Sequence, residues 1–156
     1  MTTQEPHASV HRTRIVADGY HLEVAVPPSN VYRRLRIAAG LSPKSAEGAA
    51  IGLPNTLFGV TIERAGEIVA MGRVVGDGGL FFQVTDIAVD PRHQGRGLGK
   101  AIVDAIVAHL KATVPPGAYV SLIADGEAHR LYAQFGFQPT APASIGMEMF
   151  ISPLAR

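Results

Sequence analysis

The sequence contains no cysteine, no long apolar run and no excess of either charge. Without cysteine the chain forms no disulfide, no thiolate metal site and no cysteine nucleophile, which fits a reducing compartment. Fourteen Lys and Arg residues against 13 Asp and Glu give a net charge of +1, so neither nucleic acid nor a charged membrane is expected as a partner. No run approaches the ~20 apolar residues of a membrane span. We therefore expect a cytoplasmic protein.

The six histidines show no spacing typical of metal ligands, and we expect no metal site. A length of 156 residues suits a single domain with one core. Residues 1–12 are polar and unpatterned, which predicts a flexible tail followed by one domain over residues 13–156.

Hydrophobic periodicity and turn residues predict alternating strands and helices. The order is one strand, two helices, three strands, then helix, strand, helix and strand, which is typical of an α/β domain on a mixed sheet. The predicted strands are 21–26, 56–62, 67–75, 80–89, 118–124 and 145–151. The predicted helices are 30–39, 44–51, 98–112 and 125–135, the last of them capped by Asp125.

Three glycines lie in HQGRGLGKA, residues 93–101, between an apolar strand and a helix start. The unpaired N–H groups and dipole of a helix N-terminus favour an anion, and glycines leave room for it to approach. The alternative is a tight strand-to-helix turn with no ligand. The motif is not a P-loop, because it lacks the earlier glycine and the Ser or Thr after the lysine. It also lacks the G-x-G-x-x-G spacing and the later acidic residue of a dinucleotide site.

The segment Gln94-Gly95-Arg96-Gly97-Leu98-Gly99, after an apolar strand, resembles the pyrophosphate loop of the GNAT superfamily of acyl-CoA-dependent N-acetyltransferases. A second segment, AHRLYAQFGF (residues 128–137), resembles the L-Y-x-x-x-G-F pattern of a later helix in that family. The resemblance covers residues 57–137, over half of the chain. It implies a single-domain GNAT-like α/β (α+β) fold, with a mixed, mostly antiparallel central sheet flanked by helices.

The resemblance implies transfer of an acetyl group from acetyl-CoA to a primary amine by direct attack on the thioester, without a metal. We expect a small-molecule amine as acceptor; a protein lysine or N-terminus is the alternative. A non-catalytic acyl-CoA-binding module on the same fold is a second alternative, and a homodimer is expected because small domains of this family often pair.

By the same resemblance, the loop amides hold the CoA pyrophosphate, with help from Gln94 and Arg96, while central-strand backbone groups hold pantetheine. Asp125 replaces an asparagine often found near the later helix, where it caps that helix or also touches pantetheine. The implied acetyl-CoA-binding residues are Ile87, Ala88, Val89, Gln94, Gly95, Arg96, Gly97, Leu98, Gly99, Lys100, Asp125 and Tyr132.

Two proton transfers accompany the reaction. Tyr132 resembles the tyrosine that lies at the sulfur in this family and is the candidate general acid; the alternative is an aromatic packing anchor. Some members carry a glutamate that acts as general base at the position of Gln83. Glutamine cannot accept the proton, so a base at this position is absent. Asp86 is the candidate base, with a buried, hydrogen-bonded carboxylate as the alternative, and a water at backbone carbonyls near Ile123 is a third possibility.

Acceptor pockets of this fold draw on the first two helices and the central strands. The candidate lining residues are Arg33, Arg34, Arg36, Phe58, Phe81, Phe82 and Met149.

Overall fold

The computed structural model describes residues 13–152 and 154, so the predicted tail at residues 1–12 lies outside the described residues. Its strands are β1 (Arg14–Ala17), β2 (Tyr20–Glu23), β3 (Phe58–Arg64), β4 (Glu67–Gly76), β5 (Phe81–Val89) and β6 (Tyr119–Ser121). Its helices are α1 (Ser29–Ala38), α2 (Ala46–Gly52), α3 (Leu98–Thr113) and α4 (His129–Ala133).

The six strands form one sheet in the order β1-β2-β3-β4-β5-β6. Every neighbouring pair is antiparallel except β5 and β6, which are parallel and joined through α3. The hairpins follow from local turn chemistry: the Asp77 carboxylate, for example, accepts hydrogen bonds from the N–H groups of Gly79, Leu80 and Phe81 between β4 and β5. This mixed, mostly antiparallel sheet confirms the predicted fold class.

Helices cover both faces of the sheet. The stripe of Leu98, Ile102, Ile106 and Leu110 on α3 is buried against one face, as its helical period predicts. Helices α1 and α2 cover the other face through a second apolar cluster that includes Leu35. Within the described residues, no helix is both long and apolar enough to cross a membrane.

A β-bulge interrupts the pairing of β4 and β5. Met71 pairs with Ala88 and Arg73 with Thr85, so β5 carries one extra residue between these pairs. Asp86, at the bulge, has a φ of 58°, in a region that Asp enters more readily than most residues.

Several predicted elements are wrong in position or extent. Strand β1 was not predicted, and β2 ends at Glu23 although the apolar alternation continues to residue 26. The strand predicted at 118–124 is limited to three residues, because β6 pairs with β5 only over that length. Residues 145–151 form no strand and are exposed, with Met147 87% accessible.

The helix predicted at 125–135 is also shorter than its pattern indicates. A 3-10 turn at Gly126–Ala128 precedes α4, which covers only His129–Ala133. Asp125 precedes this turn, but its side chain makes no capping hydrogen bond, so the predicted cap is absent.

Candidate active site

Strands β5 and β6 diverge after three paired residues, and a cavity opens between them. The last parallel pair is Gln83 with Ser121, after which β5 continues to Val89 without β6 beside it. The cavity has a volume of about 210 Å³. It is lined by Arg36, Leu41, Gln83, Val84, Thr85, Asp86, Ile87, Ile123, Asp125, Ala128 and Tyr132.

The glycine loop lies at the carboxyl end of β5 and leads into α3. Gly95 and Gly97 have φ values of 75° and 76°, which other residues adopt only with strain. A Cβ built on either glycine would meet no atom within 4 Å, so the backbone there is open to a ligand. Gly97 is the N-cap of α3, whose 16 residues present free amides and a positive dipole end. The loop therefore fits a pyrophosphate.

Two side chains of the loop hydrogen-bond to backbone carbonyls of the chain, and one lysine is exposed. Gln94 donates from Nε2 to the carbonyl of Val89 (3.2 Å), and Arg96 donates from Nη1 to the carbonyls of Arg92 and Gln94. Lys100 is exposed in the first turn of α3. The Val89 carbonyl, one of the groups predicted to hold pantetheine, is thus already bonded within the chain.

The remaining loop residues serve packing. Leu98 is buried in the core. Gly99 lies close to α4: an added Cβ would be 3.7 Å from Cδ2 of Leu131 and 3.9 Å from Cγ2 of Val89. Both distances are ordinary van der Waals contacts, so a small side chain would fit at this third glycine.

A hydrogen-bonded relay anchors the residue that precedes the loop. Arg64 donates from Nη1 to the Tyr20 hydroxyl (2.6 Å), and that hydroxyl lies 2.9 Å from Nδ1 of His93. With its oxygen accepting from Arg64, Tyr20 is free to donate its proton to His93. Sequence reasoning missed this support, because Tyr20, Arg64 and His93 are distant in the chain and share no motif.

Tyr132 lies on α4, its ring packs edge-on against Phe137, and the residue lines the cavity. The ring is buried among Val103 and Val107, so it does act as an anchor for α4. The Tyr132 hydroxyl makes no hydrogen bond to a described residue. Among the described residues, every side-chain oxygen or nitrogen that is fully buried has a hydrogen-bond partner, so this hydroxyl is not fully buried. The hydroxyl is therefore open to the cavity. Burial, and secondly the charge of Asp125, raise its pKa above the ordinary value of 10, so it stays protonated at neutral pH.

Asp86 is the centre of a buried ion cluster. Its Oδ1 accepts from Arg36 and from the Tyr32 hydroxyl (3.2 Å), and its Oδ2 accepts from Nε of Arg73 at 2.8 Å. The two guanidinium groups also lie 5.9 and 5.4 Å from the centre of the Tyr32 ring. Both carboxylate oxygens are thus held by cations, which favours the structural alternative over the general base for Asp86.

The second carboxylate of the cavity differs from the first. Asp125 is exposed, and its side chain has no hydrogen bond to a described residue. It is close enough to Tyr132 to raise the pKa of that hydroxyl.

Of the predicted acceptor-lining residues, Arg36 lines the cavity. Arg33 and Arg34 donate to the carbonyls of Lys44 and Ile68 instead. Phe58 stacks on His109 at 3.8 Å between ring centres. Phe82 belongs to the core, while Phe81 and Met149 are exposed. No cluster of three or more His, Asp or Glu residues suited to a metal occurs in the described ranges.

Comparisons with known proteins agree with this geometry. Residues 55–139 match the acetyltransferase (GNAT) domain family. A structure from meticillin-resistant Staphylococcus aureus, described as a "Protein of Unknown Function" and "Probable Acetyltransferase", is 45% identical with a TM-score of 0.81 and covers 85% of this chain and 99% of its own. A Clostridium acetobutylicum structure solved with acetyl-CoA shares the fold at 18% identity and a TM-score of 0.58, covering 77% of this chain and 86% of its own.

Among curated relatives, the chloroplastic serotonin N-acetyltransferase 2 of rice is 34% identical over 88 residues, which are 56% of this chain and 43% of that protein. In four of these curated relatives, the matched segment spans only 31% to 43% of the relative's own length.

Proposed function

The chain belongs to the GNAT family of acetyltransferases and is an acyltransferase, and we propose that it transfers an acetyl group from acetyl-CoA to the primary amine of a small molecule by direct attack. The observation that carries this proposal is the open hydroxyl of Tyr132 in the cavity between the diverging strands. The open glycine loop, at the end of the same strand, supports acetyl-CoA as donor. The family uses this donor, and a structural neighbour was solved with it.

The loop and β5 bind and orient the donor in this proposal. The amides at the start of α3 receive the pyrophosphate, and the exposed Lys100 adds a full charge. Pantetheine lies along β5 at Ile87 and Ala88, where β6 no longer pairs with β5. A backbone N–H at this divergence stabilises the negative charge that develops on the acetyl oxygen.

Two side chains at the cavity handle the protons. Tyr132 remains protonated at neutral pH and donates to the departing thiolate. The ammonium of the acceptor has an ordinary pKa near 10.4 and must lose a proton before it attacks. Asp125 is the cavity carboxylate that no cation holds in the described structure, so we assign to it the proton leaving the amine, directly or through a water.

Acetyl-CoA binding tests the loop. Gly97→Asp places bulk and a negative charge at the phosphate position, so we expect affinity measured by titration calorimetry to fall at least ~10-fold. Gly117→Asp is the matched control, because Gly117 also has a positive φ (81°) and open space around its Cβ position, but lies away from α3's N-terminus. Equal losses in the two folded variants would refute the loop assignment.

Thiol release from acetyl-CoA with a panel of small primary amines tests the reaction. Turnover with at least one amine is expected. Acetyl-CoA binding without turnover on any small amine or on peptide lysines and N-termini would instead support a binding module. Turnover on peptides alone would replace the small acceptor with a protein.

A further inference from the structure

The glycine loop is exposed between two residues that the rest of the protein holds in place. Residues 94–97 are all exposed. On their C-terminal side, Leu98 is buried in the core with 2% of its surface accessible. On their N-terminal side, His93 is half-buried and is the last residue before the loop. The contacts that hold His93 therefore bear on where the loop lies.

The His93 ring is held by Tyr20, which lies 73 residues earlier in the chain. The Tyr20 hydroxyl is 2.9 Å from Nδ1 of His93, and the two rings meet edge to face with their centres 5.7 Å apart. Tyr20 is only 1% exposed and belongs to the apolar cluster between α3 and the sheet. Because packing fixes the Tyr20 ring, its hydroxyl is a fixed point for the side chain of His93.

Arg64 sets the direction of this hydrogen bond. The register that pairs His21 of β2 with Glu63 of β3 brings Tyr20 beside Arg64. Nη1 of Arg64 donates to the Tyr20 hydroxyl at 2.6 Å, and its guanidinium carbon lies 4.6 Å from the centre of the Tyr20 ring. Since an arginine only donates, the Tyr20 oxygen accepts from Arg64 and its hydrogen is available to Nδ1 of neutral His93. The three side chains thus connect β2 and β3 to the start of the loop.

We propose that Tyr20 and Arg64 are positioning residues, which act through His93 to hold the glycine loop in the form that binds acetyl-CoA. This inference rests on the proposed role of the loop in binding that donor. A loop that is held before the ligand arrives loses less conformational freedom on binding, which increases affinity. The residues described as lining the active-site cavity include none of these three. Loss of the relay should therefore weaken donor binding and leave the chemistry at Tyr132 unchanged.

Tyr20→Phe is the first test, because it removes the hydroxyl and keeps the buried ring. The Kd of acetyl-CoA from titration calorimetry and its KM should both rise about three- to tenfold, the effect of one hydrogen bond. The kcat at saturating acetyl-CoA should be unchanged. A fall in kcat with unchanged affinity, or no change in either quantity, would overturn the proposal.

Two variants of His93 test whether the relay acts through this residue. The side-chain oxygen of asparagine can take the place of Nδ1 as acceptor, so His93→Asn should keep acetyl-CoA affinity close to that of the wild type. His93→Leu has no acceptor and should weaken affinity as much as Tyr20→Phe does. Combining Tyr20→Phe with His93→Leu should add little, because both remove the same interaction. Fully additive losses, or equal losses in His93→Asn and His93→Leu, would contradict the relay.

Cleavage by trypsin after Arg96, followed by mass spectrometry, tests the hold on the loop without any ligand. Arg96 is exposed in the loop, and cleavage there requires the loop to open locally. Tyr20→Phe should be cut several-fold faster than the wild type. Tyr32→Phe is the matched control, because it also removes a tyrosine hydroxyl that bonds within the protein, to Asp86, and should leave this rate unchanged. Equal rates in the two variants would refute the relay. Failure of the wild type to bind acetyl-CoA would count only against the proposed function, since the cleavage rates still report whether the relay holds the loop.

Discussion

Replacing Asp86 by asparagine should destabilise the protein strongly. The Asp86 side chain is 3% exposed, and those of its partners Arg36 and Arg73 are each 9% exposed. Asparagine keeps the volume and tolerates the positive φ of this position at least as well as aspartate. It leaves two buried guanidinium groups without a counter-charge, and its amide can accept from only one of them.

The magnitude follows from the burial of the pair. Removing one partner of a buried ion pair costs about 3–5 kcal/mol. For a domain of this size, about 2–4 °C of Tm corresponds to each kcal/mol, so Tm should fall by about 6–20 °C. Urea titration and thermal melts at pH 7 measure both quantities.

Asp104→Asn is the matched control. Asp104 also pairs with an arginine, Arg14, at 3.4 Å, but the two side chains are 55% and 52% exposed. An exposed pair contributes about 0–1 kcal/mol, so this variant should be nearly neutral. A loss in Asp86→Asn no larger than that of Asp104→Asn would refute the structural role. Loss of the ascending, low-pH limb from the pH profile of kcat/KM, in a stable Asp86→Asn protein, would restore Asp86 as the base.

Three further outcomes are expected. Tyr132→Phe should lower the single-turnover rate by ~10²–10⁴-fold with little change in Tm. Because burial raises the pKa of the Tyr132 hydroxyl, the wild-type rate should fall with rising pH only above about 10. A near-normal rate in Tyr132→Phe would instead assign the role of acid to water. Asp125→Asn should lower kcat at unchanged acetyl-CoA affinity, while an effect on affinity alone would leave Asp125 as a pantetheine contact. Partial burial against Phe58 lowers the pKa of His109, so the unfolded state binds this proton more tightly and stability falls as pH drops below about 6.5. The fall in Tm from pH 7.5 to 5.5 should be smaller in His109→Gln, and an identical fall would contradict this.

The sequence predicts well the features that depend on local pattern. The apolar stripe of α3, the hairpin from β4 to β5 and the glycine loop at α3 all follow from periodicity or from residues that favour turns. Gly97 illustrates why: its positive φ and its place before α3 are both requirements that glycine meets locally. Such elements carry their structural signal within a few residues.

Features that depend on partners distant in the chain were not predictable in the same way. AYVSLIA has the composition of a seven-residue strand, but the length of β6 is set by where β5 stops pairing with it, after Gln83. The segment 145–151 alternates like a strand and yet has no neighbour to pair with in the described chain. Asp86 shows the same limit at the site, because its cations come from α1 and β4, 50 and 13 residues away.

The two cavity carboxylates, Asp86 and Asp125, differ because, among the described residues, only Asp86 is bonded to cations from distant parts of the chain. Asp86 is fixed by Arg36 and Arg73, and each of its two oxygens accepts a charged hydrogen bond, so its carboxylate is held within the cluster. Asp125 lines the same cavity but is exposed and close to Tyr132, where water can reach it. In the proposed reaction, an amine in the cavity would lie near the Arg36 guanidinium, whose positive charge disfavours the ammonium form, and near Asp125, whose carboxylate no described cation holds. We therefore propose that the cluster favours amine deprotonation through its charge, while Asp125 takes the proton.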